Sequence, residues 1–135
     1  MAGDRAMDKD FVINSFCQKT GLDFKFNEMG LARLRFDRTI IVDFELSDDE
    51  SYMYIYSSLG RIPSTAMGSD LLKDMMRAHF LGRDSDDTCF ALDKDTVMAF
   101  RRYDFATADK NDLYTVLELF LDSVELWSNK IKNCQ

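Results

Sequence analysis

The sequence predicts an α+β fold in which helices flank a mainly antiparallel, twisted sheet. Two observations predict it. Between residues 31 and 104, short segments alternate apolar with polar residues, as half-buried strands do. Before, between and after these segments, apolar residues recur at helical spacing, which gives the order α-β-β-β-α-β-β-α. With 135 residues, one proline and no internal repeat, we expect a single domain over residues 1–135.

The first predicted helix covers about residues 7–19. Its apolar side chains fall near one side, and Gly21 stands where a helix commonly ends. The last predicted helix is the strongest and covers about residues 110–132, with apolar residues every three or four positions. We expect Thr107 or Asp109 to cap it.

Three predicted strands follow the first helix, at residues 31–36, 39–46 and 52–59. In the third, Met53 and Ile55 are expected to face the core, because successive side chains of a strand point to opposite faces. The other face carries a row of tyrosines: Tyr52, Tyr54 and Tyr56. This row either packs against a helix or forms a ledge for a partner segment, since tyrosine supplies a large contact area with little entropy lost on ordering.

The segment from residue 69 to residue 104 holds more apolar surface than its length can bury. It is predicted as a helix that starts at Ser64 or Ser69 and ends at Leu81, followed by a hairpin that turns at residues 93–96. The helix has apolar residues on more than one stripe: Leu71, Leu72, Met75, Met76, His79, Phe80 and Leu81. Such a helix is usually buried on two sides, and in a short chain a second copy supplies the other side. We therefore expect a homodimer.

Composition and charge exclude several classes of protein. Apolar residues make up 46% of the chain, which indicates a globular protein, and the formal net charge is −7, which disfavours nucleic acids and anionic membranes as partners. Four charged residues lie between Asp4 and Lys9 with no apolar run after them, so we expect no signal peptide. Three widely spaced cysteines indicate a reducing compartment rather than disulfides.

Groups for catalysis or metal binding are scarce. His79 is the one histidine, and a histidine on an apolar helix is more commonly a packing or surface residue than a catalyst. The aspartates at residues 84–87 and 93–95 lack the glycine and the glutamate of a calcium loop, and no phosphate-binding loop occurs. The sequence therefore predicts no catalytic residue, no metal site and no cofactor, and we do not expect an enzyme.

Three segments together resemble class I type III secretion chaperones, the Tir-chaperone family: YMYIYSSLGRIP, LLKDMMRAHFL and TCFALDKDTVMAFRRYD. The resemblance covers about residues 10–127 and rests on patterns of apolar and small residues. It implies a bacterial cytoplasmic homodimer that holds the N-terminal region of a virulence effector in an extended, secretion-competent state without ATP. It also implies contact with the secretion ATPase or the sorting platform as a further partner.

The resemblance also implies two sets of site residues. Candidate client-binding residues are Val12, Phe16, Leu34, Ile41, Tyr52, Tyr54 and Tyr56. Candidate dimer-interface residues are Leu72, Met75, Met76, Phe80, Met98 and Phe100. The main alternative is an acidic dimeric adaptor or regulatory module that binds a folded protein. A small-molecule binder would need a polar cluster in an apolar pocket, and the sequence indicates none.

Overall fold

The computed structural model of the chain describes residues 9–82, 87–105 and 112–135. Its helices and strands, in chain order, are α1 (Lys9–Thr20), β1 (Leu31–Phe36), β2 (Ile40–Leu46), β3 (Tyr52–Arg61), α2 (Ala66–His79), a 3-10 turn (Phe80–Gly82), β4 (Cys89–Asp93), β5 (Thr96–Asp104) and α3 (Leu113–Lys132). The strands form one sheet in the order β1-β2-β3-β5-β4. The predicted α+β class and element order are confirmed.

The predicted alternation of the strands is also confirmed. β1 and β2 pair in antiparallel register, with Leu34 opposite Val42 and Arg33 opposite Asp43. Val42 and Phe44 are fully buried, and so are Met53 and Ile55 on β3. One face of β2 and β3 therefore supplies core residues, and the tyrosines of β3 lie on the other face.

Two helix starts differ from the prediction. α2 begins after Thr65, whose hydroxyl accepts a hydrogen bond from the Gly68 N–H at 3.1 Å, so the helix starts at neither Ser64 nor Ser69. α3 begins after Asp112, whose carboxylate accepts from the Thr115 N–H at 2.9 Å. The predicted caps Thr107 and Asp109 lie outside the described residues, as do the predicted starts of the first and last helices.

The chain divides into two compact units. Unit 1 consists of Met1–Ile55 and Arg102–Glu118, and unit 2 of Tyr56–Arg101 and Leu119–Gln135. That residues 1–135 fold as a single domain stays a prediction.

Unit 1 has an aromatic core. The Phe24 ring contacts Phe16 of α1 at 6.0 Å and Phe44 of β2 at 4.6 Å between ring centroids, both edge to face. These contacts place α1 over the sheet face that carries Val42 and Phe44.

Unit 2 centres on Trp127 of α3 and Phe90 of β4, whose ring centroids lie 5.5 Å apart. Phe90 also contacts His79 at 6.0 Å, and its main-chain N–H donates to His79 Nδ1 at 3.4 Å. His79 therefore links the end of α2 to β4, which is a packing role.

Candidate functional site

The face of the unit 1 sheet that lies opposite α1 is aromatic and charged. On β3, the Tyr52 and Tyr54 rings meet edge to face at 5.6 Å. The Arg102 guanidinium lies 3.6 Å above the Tyr52 ring, and its Nε donates to Asp104 Oδ1 at 2.8 Å. That hydrogen bond raises the pKa of Arg102 above its usual value. Tyr52 is thus stacked under a cation, while Tyr54 is 39% exposed.

Ile41 lies on the same face but apart from these tyrosines. The Ser47 N–H donates to the Tyr52 carbonyl at 2.9 Å, and continuing this antiparallel register places Glu45 opposite Tyr54. Ile41 is four residues further along β2, about 13 Å away at the usual rise of a strand. Between them lies the pair of Arg33 and Asp43, joined by two hydrogen bonds of 2.7 and 3.2 Å. The Arg33–Asp43 pair therefore lies between Ile41 and the two tyrosines of unit 1, Tyr52 and Tyr54.

The other candidate client-binding residues of unit 1 belong to the opposite face. Leu34 pairs with Val42 on the face that α1 covers, and Val12 is half-buried on α1 itself. Phe16 is only 4% exposed because it packs against Phe24, so in this conformation its side chain is not available to a client. In this structure the candidate residues of unit 1 are divided between α1 with the face it covers and the opposite face of the sheet, and the Phe16 side chain is buried. Tyr56 follows on β3 in unit 2, half-buried.

In unit 2, large apolar side chains are exposed along one flank of α2 and the turn after it. Met76 is 72% exposed and Phe80 is 60% exposed. Met75, the neighbour of Met76, is 2% exposed and belongs to the core of the single chain, so it is not available to a second copy in this conformation. Leu72, Met98 and Phe100 are half-buried.

Two exposed leucines of unit 2 were absent from the predicted interface. Leu81 is 73% exposed, and Leu92 on the edge strand β4 is more than half exposed. Leu81 has positive φ (55°), a conformation that glycine adopts far more readily than leucine. The sequence could have indicated Leu81 as an interface residue, because it directly follows Phe80 and precedes Gly82, where the helix was predicted to end. We name Met76, Phe80, Leu81 and Leu92 the apolar patch of unit 2.

The described residues show little that could carry out chemistry. Among them, no three or more His, Cys, Asp or Glu side chains gather as a metal site would require. The three cysteines are free, and burial raises the pKa of the Cys89 thiol, which makes it less reactive. No described helix is long and apolar enough to span a membrane. Of the aspartates considered for calcium, residues 84 and 86 lie outside the described part.

Comparison with known proteins shows which solved structures have a similar fold. No curated protein sequence is significantly similar to the chain. Among solved structures, SycH of Yersinia pestis, a type III secretion chaperone in complex with a fragment of YscM2, is 19% identical with a TM-score of 0.69 over 86% of this chain and 96% of that chain. A chain of the ExoU–SpcU complex of Pseudomonas aeruginosa is 12% identical with a TM-score of 0.73, over 90% and 98%. A chain of the ExsC–ExsE complex is 18% identical with a TM-score of 0.68, over 89% and 90%.

At these identities the structural likeness is one of fold. The sequence itself adds a second finding, since the model of the Tir chaperone protein (CesT) family matches residues 12–128, which is most of the chain. This protein therefore belongs to the Tir chaperone (CesT) family.

Proposed function

We propose that this protein is a type III secretion chaperone of the bacterial cytoplasm that binds the N-terminal region of an exported effector in an extended state. The observation that carries the proposal is the exposure of large apolar and aromatic side chains, Tyr54 in unit 1 and Met76 and Phe80 in unit 2, around well-formed cores. Large apolar side chains exposed on a folded protein are typical of protein-binding sites. Membership of the family and the solved structure of the type III secretion chaperone SycH with a fragment of YscM2 support the same function.

An extended client offers apolar side chains and unpaired main-chain groups. The chaperone matches both, since β1 and β4 are the edge strands of the sheet and either can accept an added strand. Ordering an unfolded segment costs entropy, so a large contact area is needed for useful affinity. A homodimer doubles the area that one client chain can contact.

The decisive experiment is to purify the protein with whatever it binds in its own cytoplasm and to digest the complex lightly with protease. We expect a bound segment that is protected from the protease but has no folded structure of its own. The main alternative is an adaptor or regulatory module, which would retain a folded domain after digestion. That second outcome would overturn the chaperone proposal.

We further propose that the apolar patch of unit 2 is the surface through which two copies associate. Replacing Met76 by Glu should give monomer or aggregate, because an unpaired charge buried in an interface costs several kcal/mol. Met67 lies on the opposite flank of the same helix and is also exposed, so Met67→Glu is the matched control and should remain dimeric. Light scattering at micromolar concentration measures both. A dimeric Met76→Glu protein would place the interface elsewhere.

The tyrosine face of unit 1 is the proposed client surface. Tyr54→Asp adds a charge at an exposed position and should leave the melting temperature nearly unchanged. Client retention in a pull-down should fall, since a buried aromatic anchor in an interface contributes about 2 kcal/mol or more. Tyr54→Phe keeps the ring and should retain the client. Unfolding of Tyr54→Asp would instead assign the tyrosine to the core.

The proposed function needs no chemical reaction, and we propose that the protein is not an enzyme. The purified chain should neither hydrolyse ATP nor melt at a higher temperature with ATP or calcium. A melting shift of several degrees with either would contradict this proposal.

A further inference from the structure

Arginine side chains in the described part of the chain are nearly all paired. Arg33 bonds Asp43, Arg61 bonds Asp95, Arg77 bonds Asp74, Arg102 bonds Asp104, and Arg101 also has a partner. Arg35 and Arg38 are exposed and have no carboxylate within 4 Å among the described residues. Two neighbouring arginines without a carboxylate partner among the described residues are unexpected in a chain with 24 acidic and 17 basic residues, where carboxylates are in excess.

The local backbone adds a second, independent signal at Arg38. The Thr39 N–H donates to the Phe36 carbonyl at 3.2 Å and closes a turn whose central residues, Asp37 and Arg38, have φ values of 49° and 66°. Turns with two positive φ values strongly favour Asn-Gly or Asp-Gly, because glycine alone avoids the steric penalty. A strained position that holds an arginine instead of glycine suggests that the side chain has a task there.

Both arginines border the outer edge of the sheet. The Leu46 N–H donates to the Gly30 carbonyl at 2.9 Å, and this pairing sets which residues of β1 bond to β2. It directs the main-chain groups of Leu31 and Arg35 outward, away from β2. At Leu31 these outward groups bond to Asn27. The edge next to Arg35 is covered by no other described strand.

We propose that this edge accepts an extended segment with acidic side chains that pair with Arg35 and Arg38. The inference rests on the proposed function and adds the chemistry of the client segment. A net charge of −7 repels an acidic peptide over most of the surface, so the two unpaired guanidinium groups direct such a segment to one place. Guanidinium groups also bind carboxylates with two parallel hydrogen bonds, which fixes the position of the added strand.

The competing interpretation is that the arginines only keep an exposed edge from pairing with other copies of the chain, as charged residues on edge strands often do. The two interpretations differ in what the edge binds. Under ours, the arginines attract one class of peptide. Under the alternative, they merely repel self-association.

The test uses three labelled peptides with the same alternating apolar residues, identical except that two outward positions are Glu, Gln or Lys. Binding to the full-length protein is measured by fluorescence anisotropy. We expect the Glu peptide to bind about tenfold tighter than the Gln peptide at low salt, with the preference shrinking at high salt as charges are screened. The double variant Arg35→Gln/Arg38→Gln should abolish the preference. Lys94→Gln/Lys132→Gln removes the same charge from unit 2 and should keep it.

Each of four results would overturn the proposal. Equal binding of the Glu and Gln peptides would exclude a charge-based choice of client. An unchanged preference in the Arg35/Arg38 variant, or increased self-association with no change in peptide binding, would assign the arginines to another role. Binding of none of the peptides would exclude this edge as the acceptor, while a client that still co-purifies with the protein would leave the proposed function intact.

Discussion

Replacing Gly68 by Ala tests how α2, and with it the apolar patch of unit 2, is positioned. Gly68 is a buried residue in the first turn of α2. A Cβ atom added there would lie 2.1 Å from the carbonyl oxygen of Pro63 and 3.1 Å from its carbonyl carbon. In an open helix Gly→Ala stabilises by about 1 kcal/mol. Here we expect the opposite sign, because the contact is with backbone atoms that cannot rotate away.

The size of the effect follows from the geometry. The nearest ordinary contact is about 3.4 Å, so the start of α2 must move by about 1.3 Å, and overpacking on this scale costs about 1–3 kcal/mol. The same shift strains the 3.1 Å bond from Gly68 N–H to the Thr65 hydroxyl, a cap that contributes about 1 kcal/mol. The overpacking and the weakened cap together outweigh the gain in helix propensity, so the free energy of unfolding should fall by about 2 kcal/mol.

That loss should lower the melting temperature by about 6–8 °C at fixed protein concentration. Ser69→Ala changes the next, exposed residue of the same helix and should leave the melting temperature unchanged or slightly higher. Calorimetry on both variants gives the comparison. A Gly68→Ala protein as stable as the original would mean that α2 does not approach Pro63 this closely.

Two further predictions concern the ends of elements in unit 1. Asp112→Ala should destabilise by about 1 kcal/mol at neutral pH, because it removes the cap of α3, whereas Asp112→Asn should retain most of the stability. The hydrogen bond from the Thr115 N–H, and after it the one from Lys19, lower the pKa of Asp112. The charged carboxylate therefore stabilises the fold above the unfolded pKa of about 3.9, and this contribution is lost as the pH falls through the lower folded pKa. Urea titrations at pH 7 and pH 3 should show this loss in the original protein and little of it in the Asn variant. Arg38→Gly should stabilise the fold by about 1 kcal/mol, because glycine adopts the positive φ of this position without strain. The same variant should lose part of the proposed preference for acidic peptides. A destabilised variant in the same urea assay would argue against strain at this turn.

The sequence predicted the parts of the fold that depend on the spacing of apolar residues along a strand or helix. Alternation in β1, β2 and β3 identified the buried faces correctly, since a strand has only two faces and a run such as Val42, Asp43, Phe44 leaves one choice. It was harder to predict which residues of α2 face the core. Met75 and Met76 look equivalent in an apolar stretch, but one full turn is 3.6 residues, so adjacent residues point about 100° apart and only one of them reaches the core.

Other features depend on pairs of residues that are distant in sequence. Arg102 lies fifty residues from Tyr52, yet its position above that ring decides that Tyr52 is covered and Tyr54 is open. Arg33 and Asp43 look like ordinary alternating charges, and only the register of β1 with β2 makes them the pair that lies between Ile41 and Tyr54. The start of α2 was predicted wrongly for a related reason, since several residues before a helix can cap it and the choice depends on where the chain enters the fold.

The two exposed surfaces differ in chemistry in a way that fits different partners. The apolar patch of unit 2 consists of methionine, phenylalanine and leucine side chains with no charge among them, which suits the proposed contact between identical chains. The face of the unit 1 sheet that lies opposite α1 alternates aromatic rings with internally paired charges such as Arg102 and Asp104. Such a face binds less tightly per unit area but needs no partner to remain soluble. Under the proposed function, the face of unit 1 would hold a client that must be released for export, and the apolar patch of unit 2 would hold the dimer together.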